Sequence, residues 1–191
     1  MTPTTGRLSR AQADFHARVA AARRTGGSPL VIACDETVRL PTSFLAVERD
    51  TPSATWRLRN PSAAAAVALD LLGLAPAYGV EVPTEHQVLV ADPPCRVHLD
   101  ADGVLTVSLG TGTGTHPQLA KSMAHDWIEG LAPASVILDL DGVQHLSSVI
   151  VAWLIQLLQN CRPAPFRIRN ARPTVVNQLR QLRLDALMAV D

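Results

Sequence analysis

The chain has 191 residues, 47% hydrophobic but only 4% aromatic, so Leu, Val, Ile and Ala must pack one large core or two small ones. Its formal net charge of zero lacks the basic excess with which a general nucleic-acid binder meets phosphates. The three cysteines, Cys34, Cys95 and Cys161, are scattered with no CxxC pair, so neither a zinc site nor a disulfide framework is expected. Residues 1–10 carry no apolar signal core, and the longest apolar stretch, residues 149–158, is interrupted by Gln156 and too short to span a bilayer. A cytoplasmic location without membrane insertion is the expectation. Lys121 is the only lysine among many arginines, which reads as the codon bias of a GC-rich bacterial genome.

Leu8, Ala11, Phe15, Val19 and Ala22 recur at helical spacing and predict an amphipathic helix ended by Gly26-Gly27. Residues 30–34 are a short apolar run typical of a buried strand, residues 43–47 begin a short helix, and Trp56-Arg57-Leu58-Arg59 alternates like a strand. Pro61 or Ser62 opens an Ala- and Leu-rich helix to Leu72. Residues 75–94 hold four prolines and read as a connection, with a strand expected over 87–90; the linker proper is set at 83–94.

The second half is clearer. Residues 96–99 and 104–109 flank Asp100-Ala101-Asp102-Gly103, a turn signal that predicts a hairpin. A Gly/Thr loop covers 110–115, and Pro117 starts a helix carrying Leu119, Met123, Trp127 and Ile128. After Pro133 come a buried strand over 135–140, a helix over 147–160 and a strand over 166–169. Pro173 opens a last helix with Val175, Val176, Leu179 and Leu182 on its inner face. The order β-β-α-β-α-β-α implies an α/β fold with a mixed sheet covered by helices.

The halves also resemble each other. Trp56-Arg57-Leu58-Arg59-Asn60 aligns with Phe166-Arg167-Ile168-Arg169-Asn170, and the alignment runs on without gaps to Val80 and Val190. Upstream, Asp35, Leu40 and Ala46 align with Asp141, Leu146 and Ala152. The shared R-x-R-N block favours a duplication in which the first copy lacks the opening hairpin.

No enzyme chemistry emerges. The glycines at 110, 112 and 114 are not followed by Lys-Ser/Thr, so there is no P-loop, and His98, His116, His125 and His145 have no metal-ligand spacing. Ser148 lies near His145 and Asp141 in sequence but in no GxSxG elbow, and residues on one short connection converge poorly as a triad. Catalytic, metal and cofactor residues are therefore expected to be none. Arg167, Arg169, Arg172, Arg180 and Arg183 form a basic cluster that reads as a solvated face, or as one that steers an acidic partner.

One ordered set of segments points to a family. Val136-Ile137-Leu138-Asp139-Leu140-Asp141-Gly142-Val143, then Leu146-Ser147-Ser148-Val149, then Arg167-Ile168-Arg169-Asn170, then Arg183-Leu184-Asp185-Ala186-Leu187 resembles the STAS domain, or anti-sigma-factor antagonist domain. The resemblance covers residues 95–191 and implies a STAS-like mixed sheet with helices there, with residues 1–82 as a degenerate STAS-like half. It also implies a non-enzymatic regulator that binds an anti-sigma factor or GHKL-type kinase, released by phosphorylation of a serine at a helix start. The family's D-S-S-G motif places that serine at Ser148; here the motif Asp is Ser147, its second Ser is Val149 and its Gly is Ile150, and no acid stands in 110–115. Ser147, Ser148, Val149 and Trp153 are the expected partner-binding residues. The other role the resemblance implies is that of a STAS-like accessory subunit of an ABC-type lipid transport system.

A helix start suits such a switch on physical grounds alone. Its unpaired N–H groups and positive dipole accommodate a phosphate, and the phosphate adds nearly two charges to a surface that a partner covers. Simple capping by Ser147 or Ser148 is the competing reading. In the first half the corresponding residue is Thr42, whose use as a phospho-acceptor the sequence leaves open; that half is expected to be degenerate and structural.

Overall fold

The computed structural model describes residues 30–34, 39–50, 56–119, 121 and 123–190, together with Ala13, Ala17 and Ala21. Of the expected N-terminal helix, only those three alanines are described, with helical backbone; the rest lies outside the described residues.

The second half is built on a hairpin. β4 (Arg96–Leu99) and β5 (Val104–Ser108) pair antiparallel. Asp100 closes their turn as its Oδ1 accepts from the N–H groups of Asp102 at 3.0 Å and Val104 at 2.8 Å, the local bonding for which Asp is favoured in turns. Gly103 supplies the positive φ of 77°, and a Cβ there would come within 2.7 Å of Ser43 Cα. The turn is thus pressed against the first half.

From β5 the sheet continues in parallel through β7 (Ser135–Asp139), β8 (Phe166–Arg169) and the short edge strand β9 (Ala189–Val190), in the order β4-β5-β7-β8-β9. The pleat sorts the side chains: Leu105, Val107, Val136, Leu138, Phe166 and Ile168 are buried and alternate with more exposed neighbours. α6 (Ser148–Cys161) contributes Ile150, Leu154, Leu157 and Leu158 to the same core, and α7 (Pro173–Gln181) contributes Val175 and Leu179. The remaining helices are α1 (Thr42–Asp50), α2 (Ala63–Leu71), α3 (Ala75–Tyr78), α4 (Gln87–Ala91) and α5 (Met123–Asp126).

In the first half, β1 (Leu30–Ala33) pairs parallel with β3 (Trp56–Arg59), and the pair matches β7 and β8 in direction and register. Leu30 faces Trp56 as Val136 faces Phe166. The bond that closes each ladder is also matched: Cys34 N–H to Arg59 O at 2.8 Å, and Leu140 N–H to Arg169 O at 3.1 Å. Asn60 and Asn170 both turn the chain with positive φ, 54° and 58°, which Asn tolerates better than most residues. The nine-residue helices α2 and α7 follow, each succeeded by a positive-φ residue, Gly73 and Arg183.

The two halves are bolted together closely. α2 buries Ala65, Ala66, Val67, Ala68 and Leu69, and its small residues let it press on Gly130, where a Cβ would collide with the Ala65 backbone. Ser62 caps α2 by accepting from Ala65 N–H at 3.1 Å. β2 (Leu40–Pro41) pairs parallel with β6 (Leu131–Ala132) of the other half.

Several expectations are corrected. Residues 83–94 are not an open linker: a 3-10 turn spans Thr84–His86, α4 replaces the strand expected over 87–90, and Leu89 is buried in the core. The prolines there bound short helices instead of extending the chain. The helix expected from Pro117 is helical only over α5, which passes into a 3-10 turn, Trp127–Gly130. Leu182 is 49% exposed, not on the inner face, because α7 ends at Gln181. The short strands β2, β6 and β9 carry too few residues for a periodic signal.

Candidate functional site

The start of α6 is locked from two sides. Ser147 is its N-cap, with extended backbone (φ −74°, ψ 161°), and its Oγ accepts from Ile150 N–H at 3.3 Å. Gln178 on α7 clamps the residue before it: Oε1 accepts from Leu146 N–H at 2.8 Å, and Nε2 donates to Leu146 O at 3.4 Å. Thr174 Oγ1 donates to Gln144 O at 3.2 Å. Sequence reasoning missed Gln178 and Thr174, since nothing in their local pattern distinguishes them from solvated helix polars.

Ser148 is the first helical residue and is exposed, leaving the capping role to Ser147. Two grooves meet at it. One, of about 310 Å³, is lined by Leu119, Lys121, His125, Val149, Ala152 and others. The other, of about 450 Å³, is lined by Val151, Ile155, Gln178 and Leu182 among others. Val149, half-buried, lies on this surface. Trp153, the fourth expected partner-binding residue, lines the first groove from beneath but is only 2% exposed and packs mainly in the core. Lys121 and His125 had no motif to announce them; the fold of the 117–126 segment brings them beside Ser148.

The loop where the motif acid would stand packs on the cap. A Cβ on Gly114 would meet Ile150 Cδ1 at 3.1 Å and Ser147 Oγ at 3.4 Å. The cleft between this loop and residues 142–145, about 250 Å³, is lined by Gly, Thr, Val, Gln, His, Ser and Ile, with no carboxylate.

The carboxylates gather on the far side of the loop, around a cavity of about 660 Å³ at the C-terminal ends of β5 and β7. Two of the three, Asp92 and Asp139, are engaged with neighbours. Asp92 pairs with His116 at 3.3 Å. Asp139 accepts from Arg169 Nε at 3.0 Å, Asn170 Nδ2 at 3.1 Å and Asp141 N–H at 3.2 Å. Burial pushes the Asp139 carboxyl up, but the bonds from Asn170, Asp141 and Arg169, with the Arg169 charge, outweigh it and hold the group below the usual carboxylate range. Burial drives the Cys95 thiol up to about 12, and does the same for Cys161 against the opposing charge of Arg39. Neither supplies a thiolate nucleophile. Among the described residues no group of three or more His, Cys, Asp or Glu is arranged to hold a metal, and no helix is long and apolar enough to cross a membrane.

The family model of the STAS domain matches residues 99–191. These residues are a STAS domain. The match takes in the hairpin's second strand, α6 with Ser147 and Ser148, and the Asp139–Arg169–Asn170 cluster. Among solved structures, a serine-to-glutamate variant of Moorella thermoacetica RsbS is similar at 20% identity, covering 51% of this chain and 86% of that one, with a TM-score of 0.41. No curated protein matches the chain.

Thr42, which the sequence alignment of the two halves sets against Ser148, is fully buried. Its Oγ1 donates to Gly103 O at 2.6 Å and accepts from Ala134 N–H at 3.0 Å.

Proposed function

We propose that this chain is a non-enzymatic partner-switching regulator of the bacterial cytoplasm. Its STAS domain binds an anti-sigma factor or GHKL-type kinase through the α6 start, and phosphorylation of Ser148 controls that binding. The observation that carries this reading is the exposed Ser148 at the junction of two grooves bordered by Val149, Val151, Ala152 and Ile155. Apolar surface around a single hydroxyl is what a partner buries favourably, and the same surface loses affinity once a phosphate must be desolvated. The free N–H groups of the first turn and Lys121 in the adjoining groove give the phosphorylated state a place to sit. The first half, on this reading, is a degenerate STAS-like copy whose role is structural.

The test is affinity capture from the native cell with mass spectrometry, comparing wild type with Ser148→Asp and Ser148→Ala. A protein of the kinase or anti-sigma class should be retained by wild type and Ala and depleted by about tenfold or more with Asp, the equivalent of about 1.4 kcal/mol. Equal retention by all three removes the switch.

A further inference from the structure

The β1–β3 pair has an open side. In a parallel ladder each residue turns its N–H and C=O to the same neighbour, and successive residues turn to opposite ones. Cys34 N–H goes to Arg59 O, so Leu30, Ile32 and Cys34 address β3, while Val31 and Ala33 address the other side. In the second half the matching groups are used: Asp139, the counterpart of Ala33, accepts from Leu109 N–H at 3.0 Å as β5 lies alongside β7. Beside β1 no strand stands among the described residues, and Val31 is 44% exposed.

We infer that this edge pairs with the same edge of a second copy, antiparallel about Ile32, joining two β1–β3 pairs into one four-stranded sheet. The inference does not depend on the partner-switch reading. Val31 would face Ala33 of the second copy and Ala33 its Val31, each pair exchanging both backbone bonds. The strand suits its own copy because residues 30–34 carry no charge, so self-pairing sets no like charges opposite one another. The exposed Arg57 and Arg59 lie one strand inward. Across three interstrand spacings they would be about 14 Å from their counterparts, beyond the screening length of about 8 Å in physiological salt.

The other described edges are guarded. β4 carries Arg96 and is flanked by Pro94 and Asp100, β2, β6 and β9 have two residues each, and α3 packs on β3 with Gly79 next to the Arg57 side chain. Charge, proline and shortness are the usual defences of an edge; β1, like β4, is four residues long and lies between a proline and an aspartate, Pro29 and Asp35, but it carries no charge within the strand where β4 has Arg96. The contact is small, so the dimer is weak and concentration-dependent.

Sedimentation of the full chain from low micromolar to millimolar concentration tests this, with amide exchange at Val31 and Ala33 as the local readout. Wild type should move from monomer to dimer, with both amides gaining protection in step. Val31→Pro removes an outward N–H and leaves the β3 ladder intact; it should weaken association by about tenfold or more. Val31→Lys keeps the backbone and sets two ammonium groups near the seam; it should act in the same direction, and decides the matter if the proline variant does not fold. A monomer at every concentration, a dimer indifferent to both substitutions, or full protection of both amides in the monomer overturns the proposal.

Discussion

Thr42 and Ser148 each open a helix that lies in sequence between two paired strands, β1 and β3 or β7 and β8, of matching register, yet their hydroxyls have opposite surroundings. Thr42 is fully buried, giving its proton to Gly103 and taking one from Ala134. Ser148 is exposed between two grooves. The difference comes from what covers each helix start. The Asp100–Gly103 turn and the 131–134 segment close over Thr42, making its hydroxyl a bolt between the halves. Nothing among the described residues closes over Ser148. The proposed switch needs an accessible hydroxyl, and of the two positions only Ser148 has one.

The comparison breaks most readily at the seam between the halves. Gly130→Val would drive a side chain into the Ala65 backbone and should cost about 3 kcal/mol or more, read as a lower urea midpoint, because neither backbone can yield cheaply. Gly73→Ala is the control: its Cβ meets nothing within 4 Å, and the matching Arg183 already holds a side chain at φ 57°. It should cost only about 1–2 kcal/mol of backbone strain. Equal losses at both positions would show that the tight seam is not where the halves depend on each other.

Next in size is Thr42→Val, which keeps the shape and leaves the buried Gly103 carbonyl and the part-buried Ala134 N–H without this partner. About 2 kcal/mol of stability should be lost, with Thr42→Ser recovering most of it because the hydroxyl remains. If Thr42→Val unfolds at the wild-type urea midpoint, the bolt contributes nothing and the contrast with Ser148 is one of exposure alone.

The parts legible in the sequence were those with local chemistry. Asp100 and Gly103 announced the hairpin, Ser62 and Pro173 the helix starts, and the apolar run over 135–140 announced β7. The shared R-x-R-N block led to strand pairs of equal register, because strand direction and the Asn turn are both written in those few residues. What escaped was set by contacts distant along the chain. Residues 83–94 looked like a linker because four prolines lie over 75–94, while the burial of Leu89 depends on a core supplied from elsewhere. Trp153 was expected at the partner surface; its burial follows from the surrounding core. At the site, Ser147 and Ser148 were legible from the motif, but their division of labour was not, since it turns on which of them has extended backbone. Lys121, His125 and Gln178 reach the site through tertiary packing alone.

That division of labour gives the finest test. Ser147 caps α6 through Ile150 N–H, while Ser148 stands one residue inside, exposed. Ser147→Ala should therefore lower stability by about 1 kcal/mol, the usual worth of a cap. Ser148→Ala should stay within about 0.5 kcal/mol of wild type, as an exposed substitution away from any such feature does. Ser148→Asp should be neutral or slightly stabilising, since a negative charge in the first turn gains about 0.3–1 kcal/mol from the helix dipole. Stability thus ranks Ser147 above Ser148, and partner affinity should rank them the other way, with Ser148→Asp the damaging change. The ranks must cross because the two measurements read different things: one the unpaired N–H of the first turn, the other the charge that a partner has to desolvate. Melting curves and affinity on the same four proteins decide it. If Ser148→Ala destabilises as much as Ser147→Ala, the hydroxyls share the cap, and the exposed serine has no role separate from holding the helix.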